Sequence, residues 1–220
     1  MGLLKKIIAG GPAAKTRLHS LDGDLIDLAG LRYLPQSAAT TFGRKLFGYR
    51  PRVPWLGYRA IRHLNTLLQA DWQMIEFGSG MSTVWFAKRV KHVYSIEDSA
   101  PWYDKVSAMF DQLGVHNVTY KLLEGDDYAN ADFVDDESVD FVLVDGSQRD
   151  ACMRTALKKI KPGGWVYLDN ADQLANDRKV ARKLVLEQVQ ARGGSYRYFV
   201  DFPPTFVSVT KGLLAQVGEP

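Results

Sequence analysis

From Gln73 onward, short runs that are apolar at nearly every position alternate with longer runs whose apolar residues recur every three or four. Phe141-Val142-Leu143-Val144 is the clearest short run. Apolar side chains on both faces of a strand imply a sheet covered on both sides by helices. This pattern predicts strands near 73–77, 93–97, 117–122, 139–144 and 164–169, and helices near 82–90, 102–113, 149–160 and 177–192. Such alternation, with right-handed crossovers, gives an α/β fold, a doubly wound and mostly parallel sheet. The end of the chain breaks the rhythm. Ser195 to Phe202 and Thr205 to Lys211 are two β-rich runs joined by Pro203-Pro204, with no helix between them. They predict an antiparallel pair that completes a seven-stranded sheet.

Upstream, Pro54 reads as the first residue of a helix over 55–69, with Ile61, Leu64, Leu67 and Leu68 as its core stripe. Residues 1–53 show no strong period. Turn signals at Gly10-Gly11-Pro12 and Asp22-Gly23-Asp24 separate apolar clusters that suggest one or two short helices. The chain therefore divides into an N-terminal extension, 1–53, acting as a lid or an oligomer arm, and a main domain, 54–220. A homodimer built through that arm is one of the open arrangements.

The chemistry concentrates at Glu76-Phe77-Gly78-Ser79-Gly80-Met81-Ser82-Thr83. A strand ends at Glu76, two glycines allow a tight turn, and Ser82 and Thr83 suit the cap of the next helix. Such a turn aims free backbone N–H groups and a helix N-terminus at one small space. The next strand ends in Glu97, 17 residues past Gly80. That is close to the roughly 20-residue spacing of a carboxylate that holds a ribose diol. A glycine turn and an acid on neighbouring strand ends make half of a nucleoside site.

Bulk composition changes little. At 220 residues, 46% hydrophobic and 24% charged, the chain is ordinary for a soluble globular protein. A net charge of +3 does not by itself argue for nucleic acid or membrane. The single cysteine, Cys152, excludes an internal disulfide and fits a reducing, cytoplasmic compartment. In a helical pattern it reads as a small buried side chain. No apolar run reaches the roughly 18 residues of a membrane span. The start, Met1 to Gly11, is too short in its apolar core for a secretory signal, and Lys6 stands where a myristoylation signal wants Ser or Thr.

Taken in order, Glu76-Phe-Gly78-Ser-Gly80, Glu97, Glu124-Gly125-Asp126, Val142-Leu-Val-Asp145-Gly146 and Lys161-Pro162-Gly163-Gly164-Trp-Val-Tyr-Leu-Asp169-Asn170 resemble the class I S-adenosylmethionine-dependent methyltransferases. The resemblance spans about residues 54–211 and includes the terminal hairpin. The family's first loop often has a third glycine where this chain has Ser82. The resemblance implies S-adenosylmethionine as cofactor. Glu76, Gly78, Gly80, Ser82, Glu97, Asp126 and Asp145 would form its site, with Glu97 on the ribose and Asp126 on the adenine amino group. Asp145, Asp169 and Asn170 would form the catalytic face. These three are similar to the divalent-metal site of catechol-type O-methyltransferases, which implies Mg²⁺ as a candidate. That group carries a lysine base about three positions after the first acid, whereas this chain has Gly146-Ser147-Gln148-Arg149. Metal and base are both left open.

The stretch around Asp145 also resembles bacterial methyltransferases acting on sugars or natural products, which implies a hydroxyl on a small polar or glycosidic acceptor. Arg44, Lys45, Arg50, Arg52, Arg59 and Arg62 lie among Phe42, Phe47, Tyr49, Trp55 and Tyr58. A solvated face with the aromatics tucked beneath it is the first reading of this segment. RNA binding is a second, which makes an RNA methyltransferase the alternative function. A lid that covers the cofactor and contacts an anionic substrate is a third. A nucleoside-binding module without chemistry competes with all of these. A nicotinamide dehydrogenase is disfavoured by Thr83, where its third glycine would stand, and by the terminal hairpin.

Overall fold

A computed structural model describes residues 14–172 and 175–218. The apolar runs become the middle of one seven-stranded sheet. Its strands are β1 (Gln73–Phe77), β2 (His92–Glu97), β3 (Val118–Leu122), β4 (Val139–Val144), β5 (Ile160–Leu168), β6 (Ser195–Asp201) and β7 (Thr210–Gln216). They lie in the order β3-β2-β1-β4-β5-β7-β6. The first five run parallel, and β7 runs antiparallel to both β5 and β6.

Burial on both faces explains the continuous apolar runs. Phe77, Val142, Val144 and Leu168 face Cys152, Met153 and Ala156 of α6 (Arg149–Lys159) and Ala181, Val185 and Val189 of α7 (Asn176–Arg192). Met74, Phe141, Leu143 and Tyr167 face the other way. They meet Ala60 and Leu64 of α3 (Tyr58–Leu67) and Trp85 and Phe86 of α4 (Met81–Ala87). A third helix, α5 (Ala100–Leu113), covers the β2–β3 end through Val106 and Phe110. Cys152 is fully buried in the first of these layers, and burial pushes its thiol up to about 12, as expected of a packing residue.

Before the sheet, α1 (Leu28–Leu31) and α2 (Leu34–Phe47) do not stand apart from it. Ile26 and Tyr33 pack with Tyr58, Phe202 and Val209. Leu21 N–H donates to the Asp172 carboxylate at 2.7 Å, and Lys211 binds Asp24 at 2.6 Å. The Ser37 hydroxyl reaches the carbonyl oxygens of Pro203 and Phe206. The segment thus lies across the β6–β7 connection. The reading of residues 1–13 as a terminus lies outside the described residues. Among the described residues, no helix is long and apolar enough to cross a membrane.

Three elements differ from expectation. Helix α3 begins at Tyr58, not beside Pro54, because Val53 to Leu56 run as wall and core. Its open N-terminus is served from a distance by Asp201, which accepts from Arg59 N–H at 2.7 Å. The last strand is Thr210–Gln216, not 205–211. Pairing the apolar run Leu213-Leu214-Ala215 buries more than pairing Thr205 to Val209, and residues 202–209 become a loop. Finally, the basic and aromatic segment is split. Phe42, Phe47 and Tyr49 are exposed, so the picture of aromatics tucked beneath a charged face fails for them. Trp55 and Tyr58 do turn inward.

Candidate active site

The strand order reverses beside β1, whose neighbours β2 and β4 lead away in opposite directions. A crevice must open there, outside the carboxyl ends of the strands. Two cavities occupy it and share Trp55 and Asp145 in their walls. The first, of about 150 Å³, is lined by Gly78, Ser79, Gly80, Met81 and Ser82 with Arg50 and Trp102. The second, of about 370 Å³, is lined by Asp169, Asn170, Arg44, Pro203 to Phe206 and Thr210.

The glycine turn works through Gly78. Its φ is +95°, and a Cβ there would stand 2.8 Å from Gly146 N and 2.9 Å from Gly146 Cα. Two backbones, after β1 and after β4, meet at this point. Gly80 is different. A Cβ there would meet only Trp102, at 3.7 Å, so what its hydrogen spares is the cavity itself. Gly80 also takes the cap position of α4 that the sequence assigned to Ser82 and Thr83. Thr83 instead reaches back, accepting from Gly80 N–H at 3.0 Å and donating to Glu76 at 2.5 Å.

Glu76 is fully buried beneath the turn and lines neither cavity. It accepts from Thr83 and from Ser95, the latter at 2.9 Å, and so ties the turn to β2. Burial raises its carboxyl from 4.5 to about 7, against the pull of these hydroxyls. A raised folded-state value favours the neutral form. The contribution to stability is full below pH 4.5, falls as pH rises to about 7, and is level above. At about 1.4 kcal/mol per pKa unit the fall is on the order of 3 kcal/mol. Thermal melts across this window should show Glu76→Gln losing less stability with pH than the parent. Parallel curves would contradict a neutral Glu76.

Glu97 ends β2 beside the same turn, buried and, like Glu76, outside the lining of both cavities. It accepts from Ser79 N–H at 3.1 Å, from the Ser79 hydroxyl at 2.7 Å and from Ser99 N–H at 3.1 Å. The Ser79 hydroxyl also meets Tyr120 at 2.6 Å, and the Trp102 indole donates to Ser79 O at 2.9 Å. Asp126 lies on a short 3-10 turn over Gly125–Ala129, exposed and outside the lining of both cavities.

Asp145 and Asp169 end adjacent strands, and their carboxyls interact directly. Burial, then the charge of Asp145, pushes Asp169 well above the usual carboxylate range. It is therefore the partner that keeps its proton. Asp145 is also raised by burial, but Arg149 opposes this from 3.2 Å. Arg149 is the site residue that sequence reasoning missed. Its buried guanidinium donates to the carbonyls of Asp145 (2.8 Å), Gly146 (2.9 Å) and Asp169, joining the ends of β4 and β5. The only signal for it was a basic residue at i+4 from Asp145. Asn170 lies in the second cavity's wall, in the left-handed region at φ +49°. Neither it nor Asp172 caps the next helix: α7 starts at Asn176, and Asp172 is taken by Leu21 N–H.

A seven-stranded sheet with β7 inserted antiparallel between β5 and β6, and a glycine-turn cavity at its switch point, defines the class I S-adenosylmethionine-dependent methyltransferase fold. Residues 75–171 match the family model described as a methyltransferase domain. Solved relatives include the O-methyltransferase of Bacillus cereus in complex with S-adenosylhomocysteine, with TM-score 0.59 and 18% identity over 84% of this chain and 90% of that one. TomG of Streptomyces achromogenes, an O-methyltransferase involved in tomaymycin synthesis, has TM-score 0.59 and 19% identity over 88% and 91%. At such identities the likeness is one of fold. Protein-L-isoaspartate O-methyltransferase of Saccharophagus degradans is 44% identical over 48 residues. That stretch is 22% of either chain, so the match reaches under a quarter of that protein's length.

Proposed function

We propose that the protein transfers a methyl group from S-adenosylmethionine to a hydroxyl of a small polar acceptor. One observation carries the reading. A cavity floored by the glycine turn and a cavity walled by two strand-end acids meet at Asp145 and Trp55. Donor and acceptor sites of a group transfer must share such a boundary, because holding both reactants in line supplies much of the rate, on the order of 7–11 kcal/mol.

The first cavity is the donor end of the site, and the cofactor when bound supplies a methyl carbon already activated by its sulfonium. Gly78 and Gly80 add no side chain to the turn that receives it. Glu97 accepts from the ribose hydroxyls in exchange for the hydroxyl of Ser79. Arg50 stacks over Trp55 and Trp102 at 5.5 and 5.6 Å and places a cation beside this cavity for the amino-acid carboxylate. Asp145 takes the proton of the acceptor hydroxyl, and Asp169 holds its own proton toward Asp145 and keeps that carboxylate in place.

The residues do not fit a divalent cation. Arg149 already supplies the positive charge against Asp145 and the Asp169 carbonyl. Among the described residues, no group of three or more His, Cys, Asp or Glu side chains is arranged to hold a metal.

Calorimetry with S-adenosylhomocysteine tests the cofactor site. Glu97→Ala should weaken binding by roughly 1.5–3 kcal/mol, the scale of hydrogen bonds to a charged group, which is about ten- to a hundredfold. An unchanged affinity would remove Glu97 from the site, and no binding by the parent protein would remove the function.

A further inference from the structure

The second cavity holds a cation that none of the described residues pairs by hydrogen bond or ion pair. Arg44, half-buried on α2, lines it together with the acids. Among the described residues, no hydrogen bond or ion pair engages its guanidinium, and its Nε is buried without an acceptor. The guanidinium lies 5.9 Å from the Trp55 ring. A ring face offers a guanidinium electrostatic attraction but no lone pair for its in-plane N–H groups. The indole Nε1 of Trp55, a residue that lines both cavities, is likewise buried with no acceptor. Two residues of one cavity wall thus carry donors without acceptors, and buried donors left unpaired are costly.

The acids of that cavity do not answer them. Asp145 is engaged by Arg149, and Asp169 is neutral. The charge left for an occupant to neutralise is therefore that of Arg44. The loop opposite is held to the same helix, since Thr205 N–H donates to the Thr40 hydroxyl at 3.0 Å. Arg44 is thus placed on a helix that is itself tied to the far wall.

We infer that the acceptor carries, besides the hydroxyl that is methylated, an anionic carboxylate or phosphate group, received by the Arg44 guanidinium and the Trp55 indole N–H. This rests on the reading of the second cavity as the acceptor site. A guanidinium offers parallel donors to either anion, so the two share one recognition chemistry. The acceptor is then bifunctional, with its hydroxyl end at Asp145 and its anionic end at α2.

The test uses the full-length protein saturated with S-adenosylhomocysteine, at constant ionic strength. Sodium benzoate, its uncharged counterpart benzyl alcohol, and inorganic phosphate are titrated separately by calorimetry. At least one anion should bind saturably, and at least about tenfold tighter than benzyl alcohol, the scale of one charge-assisted contact. Arg44→Gln should abolish that preference, and Arg44→Lys should restore part of it. Whether benzoate or phosphate responds tells carboxylate from phosphate. No saturable binding of either anion, equal binding of benzyl alcohol, or an anion preference that survives in a folded Arg44→Gln protein would overturn the inference. Failure of the parent to bind S-adenosylhomocysteine appears in the first titration. It overturns the cofactor reading and this inference with it.

Discussion

Asp145→Asn is expected to lower kcat by about 10²–10⁴, the usual worth of a general base, with little change in S-adenosylhomocysteine affinity. Asparagine keeps the size and one acceptor oxygen for Arg149, but cannot take a proton. Asp145 is the one ionisable side chain common to both cavity walls. Its neighbour is in no position to replace it. Asp169 is only 5% exposed, and burial together with the charge of Asp145 keeps it protonated. The pH profile supplies a second reading. Burial raises the Asp145 carboxyl above the usual carboxylate range, with Arg149 opposing. The base works ionised, so kcat/KM should rise with pH through that raised value and then level off. The asparagine variant should lose the rising limb, and the chelator EDTA should leave the parent enzyme's kcat unchanged. A variant within tenfold of the parent, or one with the same limb, would place the base elsewhere. Removing the charge leaves Arg149 with carbonyl partners only, so a melt of the variant must accompany the kinetics.

The second large effect is expected at Gly78. A residue with a Cβ at φ +95° carries a cost of roughly 1–2 kcal/mol. The added methyl also meets Gly146 backbone atoms at 2.8 and 2.9 Å. Overpacking of this kind costs about 1–3 kcal/mol, and backbone cannot yield as a side-chain tip can. Gly78→Ala should therefore destabilise the fold by about 3 kcal/mol. For a chain of this length that is a drop of roughly 6–12 °C in Tm. Binding of S-adenosylhomocysteine should fail with it, because the turn after β1 must move off the end of β4. Gly80→Ala is the matched control: its methyl meets only Trp102 at 3.7 Å, so its Tm should stay close to the parent's while the cavity narrows. Equal melting of the two variants would show that the contact between the β1 and β4 turns does not hold the site together.

Local chemistry made much of this site legible. Phe141 to Val144 announced a strand covered on both faces, and Phe141 and Leu143 do face one helical layer while Val142 and Val144 face the other. Gly78 and Glu97 announced neighbouring strand ends, and Ile96 O accepts the Gly78 N–H at 2.9 Å. Asp145 and Asp169 announced an acidic face and became a touching pair. The position of β7 was not legible, because Thr205 to Lys211 has the stronger local β character. Burial against β5 favours the strand that begins at Thr210. Glu76 and Asp126 had motif positions but no way to reveal their surroundings. One lies under the turn and the other in solvent.

Strand periodicity, the glycine turn and the acids at strand ends depend on residues close together in the chain, and the sequence alone determined them. Only the tertiary structure decided that Arg149 ties β4 to β5, that Asp169 keeps its proton, and that Arg44 and Trp55 line the second cavity. Each of these depends on a dielectric surrounding or a partner set by segments distant in sequence. Charge, burial and unpaired donors are properties of neighbourhoods, and a neighbourhood exists only once the chain has closed on itself.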